Sequence, residues 1–138
     1  MRVFIDSDVV ISSLLSSSGA AFYLLNKPII KPVISSISLN ELRTVVTRME
    51  IEDERLEILI NENFEVIPIT EMIAEIKKEY GKFVSDVNDA HIVAGAHLSQ
   101  VQYLISYNLK HFKKDKINDE LNILLLTPAL FMQYLRTQ

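Results

Sequence analysis

The chain has 138 residues, of which 49% are hydrophobic and 23% charged, with a formal net charge of −4 and no cysteine. That length and apolar share suit one folded domain over residues 1–138, burying roughly two-thirds of its unfolded surface. The absence of cysteine excludes a disulfide scaffold, a thiolate zinc site and a thiol nucleophile, and the acidic balance excludes a globally basic nucleic-acid binder while leaving room for a local basic patch.

At the start of the chain, the apolar residues after Arg2 are interrupted by two acids, so no signal peptide is read there. No later stretch approaches the ~20 apolar residues of a membrane span, and a cytoplasmic protein with no membrane partner is expected. The run Val3-Phe4-Ile5 stops at Asp6-Ser7-Asp8, and a second apolar run follows. A short β-branched and aromatic run bounded by small polar residues predicts a buried strand. Asp6, Ser7 or Asp8 then caps a helix of roughly two turns beginning near Val9. Residues 16–19 break the pattern and lead into a short helix over 20–26, ended by Pro28.

Residues 32–36 predict a second strand. From 38 to 49 the period changes: Leu39, Leu42, Val45, Val46 and Met49 recur three and four apart, with Ser38 and Glu41 in capping-box spacing. An acidic helix over 52–62 follows, with Leu56, Leu59 and Ile60 inward, then a third strand over 64–69 closed by Thr70. Met72, Ile73, Ile76 and Tyr80 predict another amphipathic helix, ended by Gly81. Residues 85–89 open a helix through about 98, in which Ile92, Val93 and Ala96 face inward and the small Ala94 and Gly95 permit close packing on a sheet. A fourth strand over 101–106, a basic solvated segment over 110–116, a fifth strand over 122–126 and a helix over Pro128–Arg136 complete the chain. Strands alternating with helices predict an α/β fold, a three-layer α/β/α sandwich around a central, mostly parallel sheet of four to five strands.

In a parallel sheet all carboxyl ends lie on one edge, where ligands bind. The polar residues just beyond strand ends, or in the first turn of a following helix, are Asp6, Asp8, Glu41, Asp86, Asp89 and Asn108. Each has an ordinary explanation when read singly. An Asp between strand and helix caps it, Glu41 completes a capping box or is solvated, and Asp89 complements a helix dipole. His91 and His97 read as surface or partly buried residues that nothing pairs as ligands.

Together the acids read differently. Carboxylates about 4 Å apart repel by on the order of 4 kcal/mol per pair at an effective dielectric near 20, which a divalent cation among them offsets. Oxygen donors alone favour Mg²⁺ or Mn²⁺ over zinc, and such an ion suits phosphoryl chemistry, where it activates a water and neutralises charge on a phosphate. Lys110, Lys113 and Lys114 directly follow the fourth strand, where cations can hold an RNA backbone.

With the acids placed, the sequence resembles the PIN-domain family of metal-dependent ribonucleases, many of whose members are the toxin half of toxin–antitoxin pairs. The likeness runs nearly end to end. VFIDSDVVISSLL resembles the opening motif and puts its acid at Asp6; SSISLNELRTVV resembles the second, with Glu41; DVNDAHIVAGA resembles the third, with Asp89. YLISYNLKHF resembles the last motif, usually a strand, a hydroxyl residue, a Gly or similar residue, then Asp. Ser106 matches the hydroxyl, but Asn108 stands in place of the acid. An amide can orient a water or ligate weakly but brings no charge, and Asp86 is the candidate replacement.

The resemblance implies an endoribonuclease in which Asp6, Glu41 and Asp89, with Asp86, hold Mg²⁺ or Mn²⁺, Asn108 assists, and a metal-activated water attacks a phosphodiester in line. It also implies a homodimer and a small cognate antitoxin whose tail occupies the active-site groove.

Three alternatives remain at this stage. Asn108 keeps open a catalytically weak PIN fold that binds RNA or protein. Residues 6–10, DSDVV, also fit the D-x-D-x-[TV] signature of haloacid-dehalogenase-like phosphatases, although the fourth strand ends in Ser106-Tyr107-Asn108 rather than in the expected acids. A phosphoreceiver domain requires an Asp at the end of the third strand, where Pro68 stands.

Overall fold

Strand β1 (Arg2–Ile5) lies at the centre of a five-stranded, all-parallel sheet in the computed structural model, which describes residues 1–138. On one side lie β2 (Lys31–Ser35) and β3 (Glu65–Ile67), on the other β4 (Tyr103–Ile105) and β5 (Leu124–Leu126), giving the order β3-β2-β1-β4-β5. Phe4 registers with Val33 on one side and Leu104 on the other, and Ile5 with Ile105. The sheet is thus wholly parallel. Its third strand is shorter than the apolar run suggests, because Pro68 has no N–H to offer a ladder.

Eight helices cover both faces: α1 (Ser7–Leu15), α2 (Ala20–Leu25), α3 (Ser36–Arg48), α4 (Asp53–Asn63), α5 (Ile73–Tyr80), α6 (Ala90–Leu98), α7 (Lys114–Leu121) and α8 (Pro128–Arg136). The period of two along β1 divides the interior. Val3 and Ile5 join a core with Val9, Leu24, Leu42 and Phe131 from α1–α3 and α8, while Phe4 points the other way into a core with Val93, Leu104 and Ile117 under α5–α7. The three-layer α/β sandwich expected from the sequence is the observed fold. Close packing of α6 is concentrated at Gly95, where a Cβ would lie 2.5 Å from Cζ of the fully buried Phe4.

Several local expectations are corrected. Helix α1 starts at Ser7, not Val9, with Asp6 as its cap. Helix α3 starts at Ser36 and is capped by Ser35, whose Oγ accepts from the Ser38 N–H at 3.1 Å, so Ser38 lies inside the helix and the Ser38–Glu41 capping box does not form. Met49 falls beyond α3 and is exposed. Met72, not Thr70, occupies the cap position of α5, and Met72 and Ile73 are 73% and 48% exposed, leaving Ile76 and Tyr80 as the inward anchors. A 3₁₀ turn, Val87–Asp89, precedes α6, which begins at Ala90. The expected solvated segment over 110–116 instead holds a second 3₁₀ turn, Leu109–His111, and the start of α7, which ends at Asn122 in the left-handed conformation (φ 56°).

Candidate active site

From β1 the chain first builds outward through β2 and β3, then returns to the opposite side of β1 for β4 and β5. The switch in strand order falls between β1 and β4, and its carboxyl edge is the place where open α/β sheets bind ligands. Asp6 follows β1 there and Ser106 follows β4. The Asp6 N–H donates to the Ile105 carbonyl at 2.9 Å, which extends the β1–β4 ladder up to the site.

Both carboxylate oxygens of Asp6 are held: Oδ1 accepts from the Ser7 N–H at 2.7 Å, and Oδ2 from the Ser106 hydroxyl at 2.8 Å. Burial pushes the Asp6 carboxyl up to about 6, with the charge of Asp8 adding to it and the bonds from Ser106 and Ser7 opposing it. Asp8 lies in the first turn of α1. Its Oδ2 accepts from the Tyr107 N–H at 3.1 Å and lies 3.4 Å from the Ser106 hydroxyl, while its Oδ1 is buried without a hydrogen-bond partner. Burial raises the Asp8 carboxyl too, against the Tyr107 N–H. Asn108 closes the turn by donating its backbone N–H to Ser106 Oγ at 3.0 Å, and the residue is exposed.

Glu41, on α3, and Asp89, at the start of α6, approach from the β2 side and from behind β4. Glu41 Oε2 lies 3.1 Å from His91 Nε2, and the His91 ring is buried with no partner at Nδ1. The expectation of a surface or partly buried His91 is therefore corrected, while His97 is at the surface as expected, with the Tyr80 hydroxyl 2.7 Å from its Nδ1. Asp89 Oδ2 lies 3.7 Å from His111 Nδ1. Burial raises the Asp89 carboxyl, the charge of His111 opposes this, and Asp86 and Glu41 raise it further. Asp86 is exposed and uses Oδ1 to accept from the Asn88 N–H at 3.0 Å, capping the 3₁₀ turn before α6.

The sheet therefore brings Asp6, Asp8, Glu41, Asp86 and Asp89 into one electrostatic neighbourhood, in which Asp89 acts on Asp6 and is acted on by Asp86 and Glu41. It does not bring three of them to a common point: no group of three or more His, Asp or Glu side chains is placed to hold one ion, each carboxylate being turned onto a protein partner. The donor set nevertheless fits a hard divalent cation. It is made of carboxylate oxygens, burial raises three of the acids, and one buried carboxylate oxygen lacks any partner. Lys110, Lys113 and Lys114 are exposed and make no ion pair, unlike Lys82 and Lys116, which meet Glu120 at 3.0 and 4.0 Å. Their backbone is tied to the segment ahead of Asp86, through the Ser85 N–H to the His111 carbonyl at 2.9 Å and the Lys113 N–H to the Phe83 carbonyl at 2.8 Å.

Sequence reasoning placed Asp8 at the carboxyl edge but not among the metal ligands, and gave His91 and His111 no role there. The available signal for His91 was a lone imidazole in the apolar run AHIVAGA, a polar group that needs a partner once buried. His111 sits between Lys110 and Phe112 and meets Asp89 only when the turn folds beside it.

Comparison with known proteins agrees with this architecture. A family model for the PIN domain matches residues 2–110, and the chain belongs to the PIN-domain family. That membership sets aside the haloacid-dehalogenase-like and phosphoreceiver alternatives. Among solved structures, a toxin–antitoxin complex from Klebsiella pneumoniae is 25% identical with a TM-score of 0.65, the match covering 91% of this chain and 97% of that one. VapBC2 from Rickettsia felis, bound to a DNA fragment from its promoter, is 16% identical with a TM-score of 0.63, covering 92% and 98%. VapC20 from Mycobacterium tuberculosis, a Sarcin-Ricin loop cleaving toxin, is 18% identical with a TM-score of 0.53, covering 74% and 86%. The last two likenesses bear on the fold alone. No match is found among the curated proteins. No helix is long and apolar enough to cross a membrane.

Proposed function

We propose that the protein is a PIN-domain endoribonuclease dependent on Mg²⁺ or Mn²⁺, acting as the toxin of a toxin–antitoxin pair. The observation that carries this reading is Asp6, a carboxyl pushed up to about 6 by burial yet kept at the carboxyl edge of the central strand, within the field of Asp8 and Asp89. Folding alone gains nothing from such a grouping of acids, and perturbed carboxyls gathered at a ligand-binding edge mark functional sites. Asp6, Glu41 and Asp89 would hold the cation, with Asp86 as the sequence's candidate for a fourth carboxylate, and the cation would supply activation of a water and neutralisation of charge on the scissile phosphate.

The rest of the chemistry belongs to the chain's own groups. Ser106 and the Ser7 N–H fix both oxygens of Asp6, and His91 holds Glu41. Asn108 presents its amide at the rim to orient water or phosphate, and Lys110, Lys113 and Lys114 take the RNA backbone as point charges. The similarity to toxin–antitoxin complexes supports a cognate antitoxin as partner. A homodimer of single-domain chains and a cytoplasmic site of action complete the reading.

The decisive experiment incubates total RNA with the purified protein in Mn²⁺ or in EDTA, beside the Asp6→Asn variant. Cleavage is expected only with Mn²⁺, and the variant is expected to lose on the order of 100-fold or more. Cleavage that survives Asp6→Asn unchanged removes the site assignment. The exposed amide at Asn108 favours one second reading, a catalytically weak PIN fold that binds RNA; retention of RNA by the wild type without cleavage in Mn²⁺ selects it.

A further inference from the structure

The turn at residues 106–108 lacks the carboxylate expected of its motif and is tied instead to an acid from another element. Asp8 Oδ2 accepts from the Tyr107 N–H at 3.1 Å and lies 3.4 Å from the Ser106 hydroxyl, the same hydroxyl that donates to Asp6 Oδ2 at 2.8 Å. A hydroxyl has one hydrogen, so its bond to Asp6 leaves Asp8 with the Tyr107 N–H as its firm donor. The other oxygen, Asp8 Oδ1, is buried with no partner. Buried acceptors in folded proteins are almost always satisfied, and an orphaned one on a carboxylate calls for a cation or a proton.

We propose that Asp8, in place of Asp86, supplies the fourth carboxylate of the metal centre beside Asp6, Glu41 and Asp89, standing in from α1 for the acid that Asn108 does not provide. The inference rests on the metal-dependent reading above. Asp86 answers a different need: it is exposed, it caps the turn before α6, and its field acts on Asp89 rather than on the Asp6–Ser106 side. Asp8 is also placed where negative charge is tolerated, in the first turn of a nine-residue helix.

The test is calorimetric titration of the full chain with Mn²⁺ alone, without RNA, for the wild type, Asp6→Asn, Asp8→Asn, Asp86→Asn and the double variant Asp8→Asn/Asn108→Asp. Asparagine at position 8 keeps an acceptor for the Tyr107 N–H, and thermal unfolding in EDTA checks that the turn survives. Asp8→Asn is expected to weaken Mn²⁺ binding by on the order of 10- to 100-fold, and the double variant to regain most of that loss as the charge returns to the turn. Wild-type affinity in Asp8→Asn, no recovery in the double variant, or a larger loss in Asp86→Asn than in Asp8→Asn each overturns the proposal. If Asp6→Asn abolishes binding while Asp8→Asn does not, only the role of Asp8 falls. A wild type that takes up no Mn²⁺ removes the metal-dependent reading as well.

Discussion

Ionising a buried carboxyl beside two other acids works against folding, and at Asp6 the sign of the effect follows from its shift. The folded carboxyl titrates at about 6 against 3.8 in the unfolded chain, so the folded state holds the proton more tightly. The stability from that protonation is fully present below pH 3.8 and is lost as pH rises through about 6, amounting to roughly 3 kcal/mol by neutral pH. Asp6→Asn removes the charge while keeping a polar partner for Ser7 and Ser106. In EDTA at pH 7.5 it is therefore expected to melt higher than the wild type by about 10 °C, with the gap closing toward pH 5; thermal unfolding at the two pH values checks this, and an equal or lower melting point at pH 7.5 contradicts it. The same substitution is expected to abolish the proposed metal-dependent cleavage, so stability and chemistry are expected to move in opposite directions at this residue. Asp6, Glu41 and Asp89 were legible in the sequence because each sits where a strand ends or a helix begins. Asp8 was placed at the same edge, but its tie to the 106–108 turn and the pairing of His91 were not legible, because their partners are distant in the chain: the Tyr107 N–H for one and Glu41 for the other.

At the scale of elements, the contact between α6 and β1 is the tightest fit described. Helix propensity favours Ala over Gly by ~1 kcal/mol, but a Cβ at residue 95 would stand 2.5 Å from a ring atom of Phe4, inside a sealed core. Overpacking of that kind costs typically 1–3 kcal/mol, so Gly95→Ala is expected to destabilise by on the order of 1–2 kcal/mol in denaturant titration. Phe4→Leu is expected to cost less in the Gly95→Ala background than in the wild type, and strictly additive effects would contradict the clash. The strands and α8 were legible because β-branched runs, turn residues and Pro128 mark them. Helix α7 was not: Ile117 is its one fully buried anchor among charged neighbours, so its apolar period is too sparse to register. Helix α5 erred the other way, since Met72 and Ile73 continue an apolar period beyond the surface the sheet can cover.

Across the whole molecule, a net charge of −4 sets a repulsive background for RNA, against which Lys110, Lys113 and Lys114 stand exposed and unpaired at the carboxyl edge. Such an arrangement directs a polyanion to one rim. Replacing all three lysines with alanine is expected to lower RNA affinity at low salt and to reduce the slope of log affinity against log salt by roughly 2, at ~0.7 per contact with single strands; an unchanged slope excludes them from the interface. The bond between Asp6 and Ser106 spans 100 positions of the chain. During synthesis Asp6 leaves the ribosome long before the hydroxyl that orients it, and β1 has no β4 to lie against until Tyr103–Ile105 is made. A polypeptide released early keeps Asp6 but lacks its clamp, so the proposed site can be assembled only on a nearly finished chain.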